Sequence, residues 1–351
     1  MALKIIFMGT PGFSVSILKT IYNSEHKILQ VYTQPPKKKN RGQKENFSPV
    51  YDFCKANDLK VKYPERLDTD EELKSFNELN PDLVIVVAYG KIIPTKLLKI
   101  ENLKFINVHA SLLPKWRGAA PIQRSIMSLD NETGISIMKI VPKLDAGPVL
   151  VKSKIKILKD TNFENLSDEL SKLGSKLILK SIDLIENKKD KYIDQDESQA
   201  SYAKKVEKSE AKINWNEKAK FILAKINALN PNPGSWFEYK GSRLKIIKAI
   251  KIRDEKDIDN YKNYENADFI LFDTPGMEKS IEFPKKLISR LPKGERYALA
   301  GSISHDNVAN IVKLGVTFCD LSSSLESDTQ LGYKDHHKIK SFIKKINEIK
   351  N

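Results

Sequence analysis

The sequence predicts an α/β protein with a doubly wound, mostly parallel sheet, followed by smaller and incomplete C-terminal elements. In the first half of the chain, short apolar runs rich in β-branched residues alternate with segments of helical periodicity. Strands that are apolar throughout are typical of parallel sheets covered by helices on both faces. With 351 residues, the chain is long enough for two or three domains.

Six apolar runs define the strands of the predicted sheet. Helical segments separate the first four, and the last two flank a short loop that contains Asp145. A helix at residues 163–186 closes this first domain, which spans residues 1–187. Ligands of such sheets bind outside the carboxyl ends of the strands, so site residues are expected there. The predicted strands are residues 3–9, 27–33, 82–90, 105–110, 134–140 and 147–157.

Three further parts follow in the sequence. Residues 188–215 are polar and weakly periodic, as expected of an interdomain linker. Residues 216–252 hold a helix stopped by Pro231 and Pro233 and then two strands, which predicts the start of a small β domain. Residues 260–351 alternate strands and helices in the manner of a (β/α)₈ barrel, with only three of its eight units. Such a partial sheet cannot close and has exposed edges.

Composition narrows the class of protein. The hydrophobic content of 40% and charged content of 30% predict a soluble globular chain, and no apolar run reaches the ~18–20 residues that cross a bilayer. Cys54 and Cys319 are far apart and lie outside any CxxC pattern, which argues against a disulfide or metal scaffold. We therefore expect a cytoplasmic protein with no metal and no membrane partner.

The charge balance favours a polyanionic partner. The chain has 60 Lys and Arg against 45 Asp and Glu, a net charge of +15, and phosphates attract such surfaces. The excess is mostly lysine and is spread along the chain, so it is weak evidence. Residues 35–44, PPKKKNRGQK, concentrate five cations in one predicted loop. Composition alone slightly favours the alternative that this loop is a solvated, mobile turn.

The strand at residues 105–110 ends in a pair of polar residues. Asn107 and His109 are two positions apart and therefore point to the same side of the strand. An amide and an imidazole aimed together suit a carbonyl oxygen that becomes an oxyanion. Asp145 can orient the imidazole or accept a proton. No serine or cysteine is placed as a nucleophile, so the pattern predicts acyl transfer between two bound substrates. The alternative is a strand end whose polar groups satisfy the local backbone.

Longer motifs around this strand carry a family resemblance. NVHASLLPKWRGAAPIQRSI, AYGKIIP and TGISIMKIVPKLDAGPVL resemble the formyltransferases that use 10-formyltetrahydrofolate, and in detail the methionyl-tRNA formyltransferase family. The resemblance extends over residues 1–252. It implies that Asn107 and His109 stabilise the oxyanion as the methionyl α-amine attacks the formyl carbon, and that Asp145 holds the histidine and helps remove the amine proton.

The same resemblance implies where the two substrates bind. Ser111, Leu112, Leu113 and Pro114 match the segment that lies beside the pterin of the folate. For the basic loop, the resemblance implies that Arg41 and Lys44 contact the acceptor end of initiator methionyl-tRNA. A monomer is expected. An amino sugar or a purine precursor remains an alternative acceptor for the same chemistry.

The C-terminal segment resembles a different enzyme. FILFDTPG, LAGSISHDNV and CDLSSSLES resemble parts of phosphoribosylanthranilate isomerase, a (β/α)₈ enzyme. The resemblance implies that Asp273 matches the general acid, and that Gly301 with Ser302 matches one of two phosphate-binding loops. In that loop Ser302 replaces a glycine, which hinders close approach of a phosphate to the backbone.

The second phosphate-binding loop corresponds to Ser322, Ser323 and Ser324, and Ser323 again stands where the family has glycine. The half of the barrel that bears the catalytic cysteine of the isomerase is absent, so we expect no isomerase activity. A second hypothesis follows for the whole chain: a fusion remnant with an intact catalytic domain, a truncated tRNA-binding domain and impaired tRNA binding.

Overall fold

A computed structural model of the chain divides it into two compact units, Met1–Val206 and Glu207–Asn351, which are described separately. The residues that it describes are 2–39, 44–159, 161–239, 241–251, 258–259, 269–273, 290–292, 294, 297–300, 303–316, 318–320, 323–325, 327 and 335–350.

Unit 1 is built on a seven-stranded sheet with the order β5-β2-β1-β6-β7-β8-β9. The first five strands in that order run parallel, β8 runs antiparallel to β7, and β9 runs antiparallel to β8 and therefore in the direction of the first five. This confirms the predicted fold class and the six predicted strands; β5, with two residues, is too short to give a sequence pattern. The strands are β1 (Lys4–Gly9), β2 (Lys27–Tyr32), β5 (Val61–Lys62), β6 (Leu83–Val87), β7 (Lys104–His109), β8 (Glu132–Lys139) and β9 (Val149–Lys156), and a hairpin is formed by β3 (Lys37–Lys39) and β4 (Lys44–Asn46).

The sheet is held together by continuous apolar burial. Every residue of β6 is buried, as are five of the six residues of β1, which is the pattern of strands with both faces covered. The helix α6 presents a buried stripe that includes Leu166, Leu170 and Leu177. Gly174 lies in that stripe, and a Cβ there would come within 3.0 Å of Ile17. The helices of unit 1 are α1 (Gly12–Tyr22), α2 (Pro49–Ala56), α3 (Asp70–Leu79), α4 (Thr95–Leu98), α5 (Pro121–Met127) and α6 (Phe163–Glu186).

The first part of the predicted linker packs on unit 1. Ile193 and Val149 exchange backbone N–H···O bonds of 2.8 and 2.9 Å, which covers part of the β9 edge. Further on, Arg117 donates its backbone N–H to Ser201 at 2.8 Å and accepts one from Ala203. The segment is polar because its side chains face solvent, whereas its backbone pairs with the sheet edge and the loop after β7. The boundary between the units therefore falls after Val206.

Unit 2 contains one sheet in the order β10-β11-β12-β13-β14, counted over the residues that the structure describes. β10 and β11 are antiparallel, and each later pair is parallel. Strand β11 of the predicted small β domain thus pairs directly with β12 of the barrel-like segment. The predicted helix near residues 283–291 lies mostly outside the described residues. The elements are α7 (Ala219–Leu229), β10 (Ser235–Tyr239), β11 (Ser242–Lys251), β12 (Phe269–Asp273), β13 (Tyr297–Ala300), α8 (Val308–Lys313), β14 (Phe318–Asp320) and α9 (His336–Lys350).

The described part of unit 2 has its own apolar cluster. Phe272 and Leu299 from the strands meet Val308 from α8 and Phe342 from α9, and all four are buried. Among the described residues of the whole chain, no helix combines the length and apolar character needed to cross a bilayer.

Candidate active site at the carboxyl edge of the sheet

Strand β7 places Asn107 and His109 at the carboxyl edge of the unit 1 sheet. Asn107 lies between Val86 of β6 and Met138 of β8, and His109 lies opposite Ser136. His109 is only 5% exposed, whereas Asn107 is half-buried. Within the described residues the Asn107 side-chain amide makes no hydrogen bond, so it can donate to a substrate oxygen at this edge.

The His109 ring is held by a backbone carbonyl. Its Nε2 lies 2.8 Å from the carbonyl oxygen of Trp116. A carbonyl only accepts hydrogen bonds, so Nε2 carries a proton in this arrangement and Nδ1 is the nitrogen that can gain or lose one. Trp116 has φ of +63°, and residues in this left-handed region are enriched at functional sites.

Asp145 faces that free nitrogen. Its Oδ2 lies 3.7 Å from Nδ1 of His109 and accepts the Gly118 N–H at 2.8 Å. The 3.7 Å separation exceeds hydrogen-bond range, so the hydrogen bond that holds the ring in this structure is the one to Trp116, and the role predicted for Asp145 stays a prediction. Gly118 is required where it is: its φ is +117°, and a Cβ would lie 2.8 Å from the carbonyl oxygen of Ala203.

A buried arginine ties these loops together. Arg117 is fully buried, and its guanidinium donates to Gln195 at 2.9 and 3.0 Å and to Glu197 at 2.9 and 3.1 Å. The Gln195 amide in turn donates to the backbone carbonyls of Asp145 at 2.9 Å and Gly147 at 2.7 Å. The Arg117–Gln195 network, meaning these two residues with Glu197, therefore fixes the backbone that presents Asp145.

Sequence reasoning missed this network. The partners of Arg117 lie 78 and 80 residues away, in a stretch interpreted as a linker because it is polar and aperiodic. The position of Arg117 inside the long motif after β7 was the one available signal. Glu197 also pairs with Lys143 at 2.7 Å, and the Arg117 and Lys143 cations lower the pKa of Glu197 to about 2.

The segment predicted to contact the folate forms a rigid turn after β7. Ser111 is buried and its hydroxyl donates to the carbonyl of Lys115 at 2.5 Å. The Ser136 hydroxyl donates to the carbonyl of Ser111 at 2.7 Å and accepts the N–H of Leu113 at 3.1 Å. Leu113 is buried in an apolar cluster, the half-buried Leu112 side chain lies against Gly134, and the carbonyl of Pro114 accepts the Ser201 N–H at 3.3 Å.

The residues predicted to contact tRNA fall in and around the β3–β4 hairpin. Lys44 begins β4 and pairs with Lys39 of β3. Arg41 lies outside the described residues, and the structure describes no side chain for Lys44. The predicted loop is thus in part a two-stranded hairpin, which follows β2 and so begins at the same carboxyl edge as His109.

Some of the isomerase-like positions lie in described parts of unit 2. Asp273 ends β12, and Ser323 begins a short 3₁₀ turn at Ser323–Leu325. The Ser324 hydroxyl donates to the carbonyl of Ile303 at 2.5 Å. Gly301, Ser302 and Ser322 lie outside the described residues.

Neither cysteine is part of the site. Neither forms a disulfide among the described residues; Cys54 is buried in α2, and Cys319 packs on the apolar cluster of unit 2. Burial raises the pKa of Cys54 to about 12. In the part of the chain that the structure describes, one group has potential metal ligands close together: Glu25, His26 and Glu186. It lies next to the amino end of β2, at the edge of the sheet opposite His109, and the His26 Nδ1 accepts the Leu3 N–H at 3.2 Å.

Comparison with known proteins assigns the family. A family described as "Formyl transferase" matches residues 3–182. A methionyl-tRNA formyltransferase of Pelagibacter ubique is 52% identical over 250 residues, covering 71% of this chain and 81% of that protein. The chain belongs to the formyl transferase family. A second family, described as N-(5'phosphoribosyl)anthranilate (PRA) isomerase, matches residues 180–345. This match confirms the resemblance of the C-terminal segment. It starts at residue 180, whereas the sequence predicted that the isomerase-like segment starts at residue 260.

Solved structures of formyltransferase-related proteins share the fold. A 4-N formyltransferase from Francisella tularensis has a TM-score of 0.56 and 19% identity, over 70% of this chain and 97% of that one. HypX from Aquifex aeolicus in complex with tetrahydrofolic acid has a TM-score of 0.56 and 17% identity, over 72% of this chain and 39% of that one. At these identities the likeness concerns the fold alone.

Proposed function

We propose that this formyl transferase moves the formyl group of 10-formyltetrahydrofolate to the α-amino group of methionyl-initiator tRNA, in translation initiation in the cytoplasm. The observation that carries the proposal is the 52% identity, over 250 residues, with a relative named methionyl-tRNA formyltransferase. The site chemistry is in accord with it, because an unpaired amide, a histidine with one free nitrogen and a carboxylate converge at one sheet edge.

In this proposal Asn107 binds the oxygen of the formyl group. The amide makes no hydrogen bond within the described residues, so its N–H groups are free for an oxygen whose charge grows as the amine attacks. Such preorganised donors stabilise the transition state more than the ground state. The donor set therefore fits a formyl carbonyl, and no resident cofactor or metal is needed for this step.

His109 and Asp145 handle the proton as a pair. When the neutral amine adds to the formyl carbon, the new C–N bond forms and the amine proton passes to the pair through Nδ1 of His109, the nitrogen that faces Asp145 at 3.7 Å. The imidazolium then lies beside a carboxylate, which stabilises its charge. The pair returns the proton to N10 of the folate as the C–N10 bond breaks, and tetrahydrofolate leaves. No proton is gained or lost overall.

The turn at Ser111–Pro114 is the proposed contact for the folate. Its backbone is fixed by Ser136 from β8 and by Ser201 from the segment that covers unit 1. A rigid turn beside the pterin positions the formyl carbon relative to Asn107 and His109, and such positioning is worth several orders of magnitude in rate. We keep Arg41 and Lys44 as proposed tRNA contacts.

An assay of formyl transfer in vitro identifies which acceptor the protein uses. Purified chain is given 10-formyltetrahydrofolate with charged initiator tRNA, with an amino sugar nucleotide, or with both in competition. We expect formylation of the tRNA-bound methionine at a far higher kcat/KM than of the sugar. Preferential formylation of the sugar amine would replace the proposed acceptor and leave the chemistry of the site in place.

Separate KM values for the formyl donor and for tRNA test the second hypothesis, a fusion remnant with impaired tRNA binding. The small β domain is truncated at the point where the isomerase-like segment joins its sheet, so tRNA binding is the step expected to suffer. We expect a donor KM close to that of the Pelagibacter ubique enzyme measured in parallel, and a higher KM for tRNA. Equal values of both constants would contradict the idea of impaired tRNA binding.

A further inference from the structure

Three aromatic rings form a cluster beside the basic β3–β4 hairpin. The rings of Phe47 and Tyr51 are stacked, with centroids 4.0 Å apart and an interplanar angle of 17°. The Tyr63 ring meets both edge-on, at 5.9 and 5.7 Å. The Lys55 ammonium lies 5.6 Å from the centroid of Tyr51. This ring cluster (Phe47, Tyr51 and Tyr63) joins residues from two separate segments of the chain.

The cluster is only partly buried. Tyr63 is 42% exposed, and Phe47 and Tyr51 are each half-buried. A contact between the residue before a helix N-cap and the first helical turn is a common local staple. That explains Phe47 and Tyr51, which flank Ser48, the N-cap of α2. It does not explain Tyr63, which follows β5 and completes the cluster while remaining partly exposed.

The surroundings of the cluster are basic. Residues 35–44, which precede Phe47 in the sequence, contain five cations, and Lys55 adds a sixth on α2. Glu45 and Asp52 are the exposed acidic residues on β4 and α2. Positive charge next to exposed aromatic rings is the combination that binds single-stranded nucleic acid, with phosphates on the cations and bases on the rings.

The cluster also lies at a useful distance from the catalytic pair. Tyr63 follows β5 and His109 ends β7, so both stand at the carboxyl edge of the same sheet, four strands apart in the order β5-β2-β1-β6-β7. Four strand spacings are roughly 19 Å, which is the length of about six stacked nucleotides and of fewer when the strand is extended. An aminoacylated 3′ end at His109 therefore places unpaired nucleotides within reach of the cluster.

We propose that the ring cluster is a stacking platform for an unpaired base at the acceptor end of the tRNA. This inference rests on the proposed function, and it adds a contact by stacking to the phosphate contacts proposed for Arg41 and Lys44. The cluster is held in place at the sheet edge, because the Ser48 hydroxyl next to Phe47 shares a 2.6 Å hydrogen bond with Thr33 at the end of β2.

The test compares three variants of the full chain. Tyr63→Leu keeps apolar bulk and removes the aromatic face, Tyr63→Phe keeps the ring, and Tyr22→Leu is the matched control. Tyr22 is 41% exposed and also makes an edge contact, with Phe53 at 6.1 Å, but it ends α1 at the opposite edge of the sheet. Circular dichroism and thermal melting establish that each variant is folded.

Two measurements are made on each variant. Formyl transfer gives the KM for charged initiator tRNA, with the donor KM as internal reference, and a six-nucleotide single-stranded RNA gives a direct Kd. Loss of one stacked base weakens binding by about 5- to 150-fold. We expect Tyr63→Leu to raise the tRNA KM and the RNA Kd by at least about 5-fold, and Tyr63→Phe and Tyr22→Leu to match the wild type.

The outcomes separate this inference from the proposed function. RNA binding that depends on the Tyr63 ring, in a protein that does not formylate methionyl-tRNA, supports the platform and removes the function. Normal formylation with the same tRNA KM and RNA Kd in Tyr63→Leu overturns the platform alone. Wild-type protein that neither formylates nor binds the RNA overturns both. A wild-type dimer that Tyr63→Leu converts to monomer assigns the rings to a second copy of the chain and also overturns the platform.

Discussion

The two units place polar residues at the carboxyl ends of parallel strands in the same manner, but they support them differently. In unit 1, the Arg117 guanidinium donates to the Gln195 side chain, 78 residues away, and the Gln195 amide in turn donates to the backbone carbonyl of Asp145. In the described part of unit 2, the Ser324 hydroxyl bonds to Ile303, 21 residues away in the neighbouring loop. The loops at the strand ends of unit 1 are thus fixed by a distant part of the chain, whereas the bond described in unit 2 joins two neighbouring loops.

The largest effect in this comparison is expected from substitution of His109, the proposed catalytic histidine. We expect His109→Ala to lower kcat for formyl transfer at least ~100-fold, because the amine proton loses its acceptor. His26→Ala is the matched control: His26 lies at the opposite edge of the same sheet, and we expect the variant to keep wild-type turnover. Unchanged turnover in His109→Ala would overturn the proposed role of this histidine in proton transfer.

A second experiment sharpens the contrast through the Arg117–Gln195 network. Arg117→Lys keeps the charge but loses the planar fork that reaches Gln195 and Glu197 together. We expect the free energy of unfolding of the full chain, measured with urea, to fall by about 2 kcal/mol, because the buried side chain at position 117 loses hydrogen bonds to Gln195 and Glu197. The control is Lys154→Ala, which breaks the exposed pair with Glu132 at 2.9 Å and costs less than ~1 kcal/mol. Equal costs in the two variants would show that the buried network does not stabilise unit 1 as described.

The network also predicts a pH dependence of smaller size. Arg117 and Lys143 lower the pKa of Glu197 to about 2 from its ordinary 4.5. A lowered pKa means that ionised Glu197 stabilises the folded chain above about pH 4.5, and that this contribution disappears as the pH falls from 4.5 towards 2. Glu197→Gln therefore flattens the melting temperature against pH in that window. Parallel wild-type and variant curves would contradict this assignment.

The smallest expected effect belongs to unit 2. Asp273→Ala and Ser324→Ala are expected to leave the kcat of formyl transfer unchanged, and the wild-type chain is expected to form no product from phosphoribosylanthranilate. The reason is the prediction from the sequence that only three of the eight barrel units are present, without the half that bears the catalytic cysteine in the isomerase family. Isomerase product from the wild type that disappears in Asp273→Ala would restore unit 2 as a second active unit.

The sequence was a good guide where apolar periodicity decides structure. Six of the seven strands in the unit 1 sheet and the helix at 163–186 follow from their residue patterns, and the side-by-side placement of Asn107 and His109 follows from strand geometry. The dependence of Asp145 on Gln195 does not follow, because hydrogen bonds between distant polar residues have no periodic signature. The turn of Trp116 into the left-handed region, which brings its carbonyl to His109, was equally invisible, since tryptophan rarely adopts that conformation.

The placement of residues 188–206 has a practical consequence for anyone who wishes to transplant this chemistry. A module cut after the last long helix, at residue 187, omits Gln195 and Glu197 and leaves the Arg117 guanidinium buried without those two partners. A fragment that ends at Val206 retains Gln195 and Glu197, and with them the hydrogen bonds that connect Arg117 to the backbone of Asp145. The unit to transfer is therefore the Rossmann-like sheet together with residues 188–206.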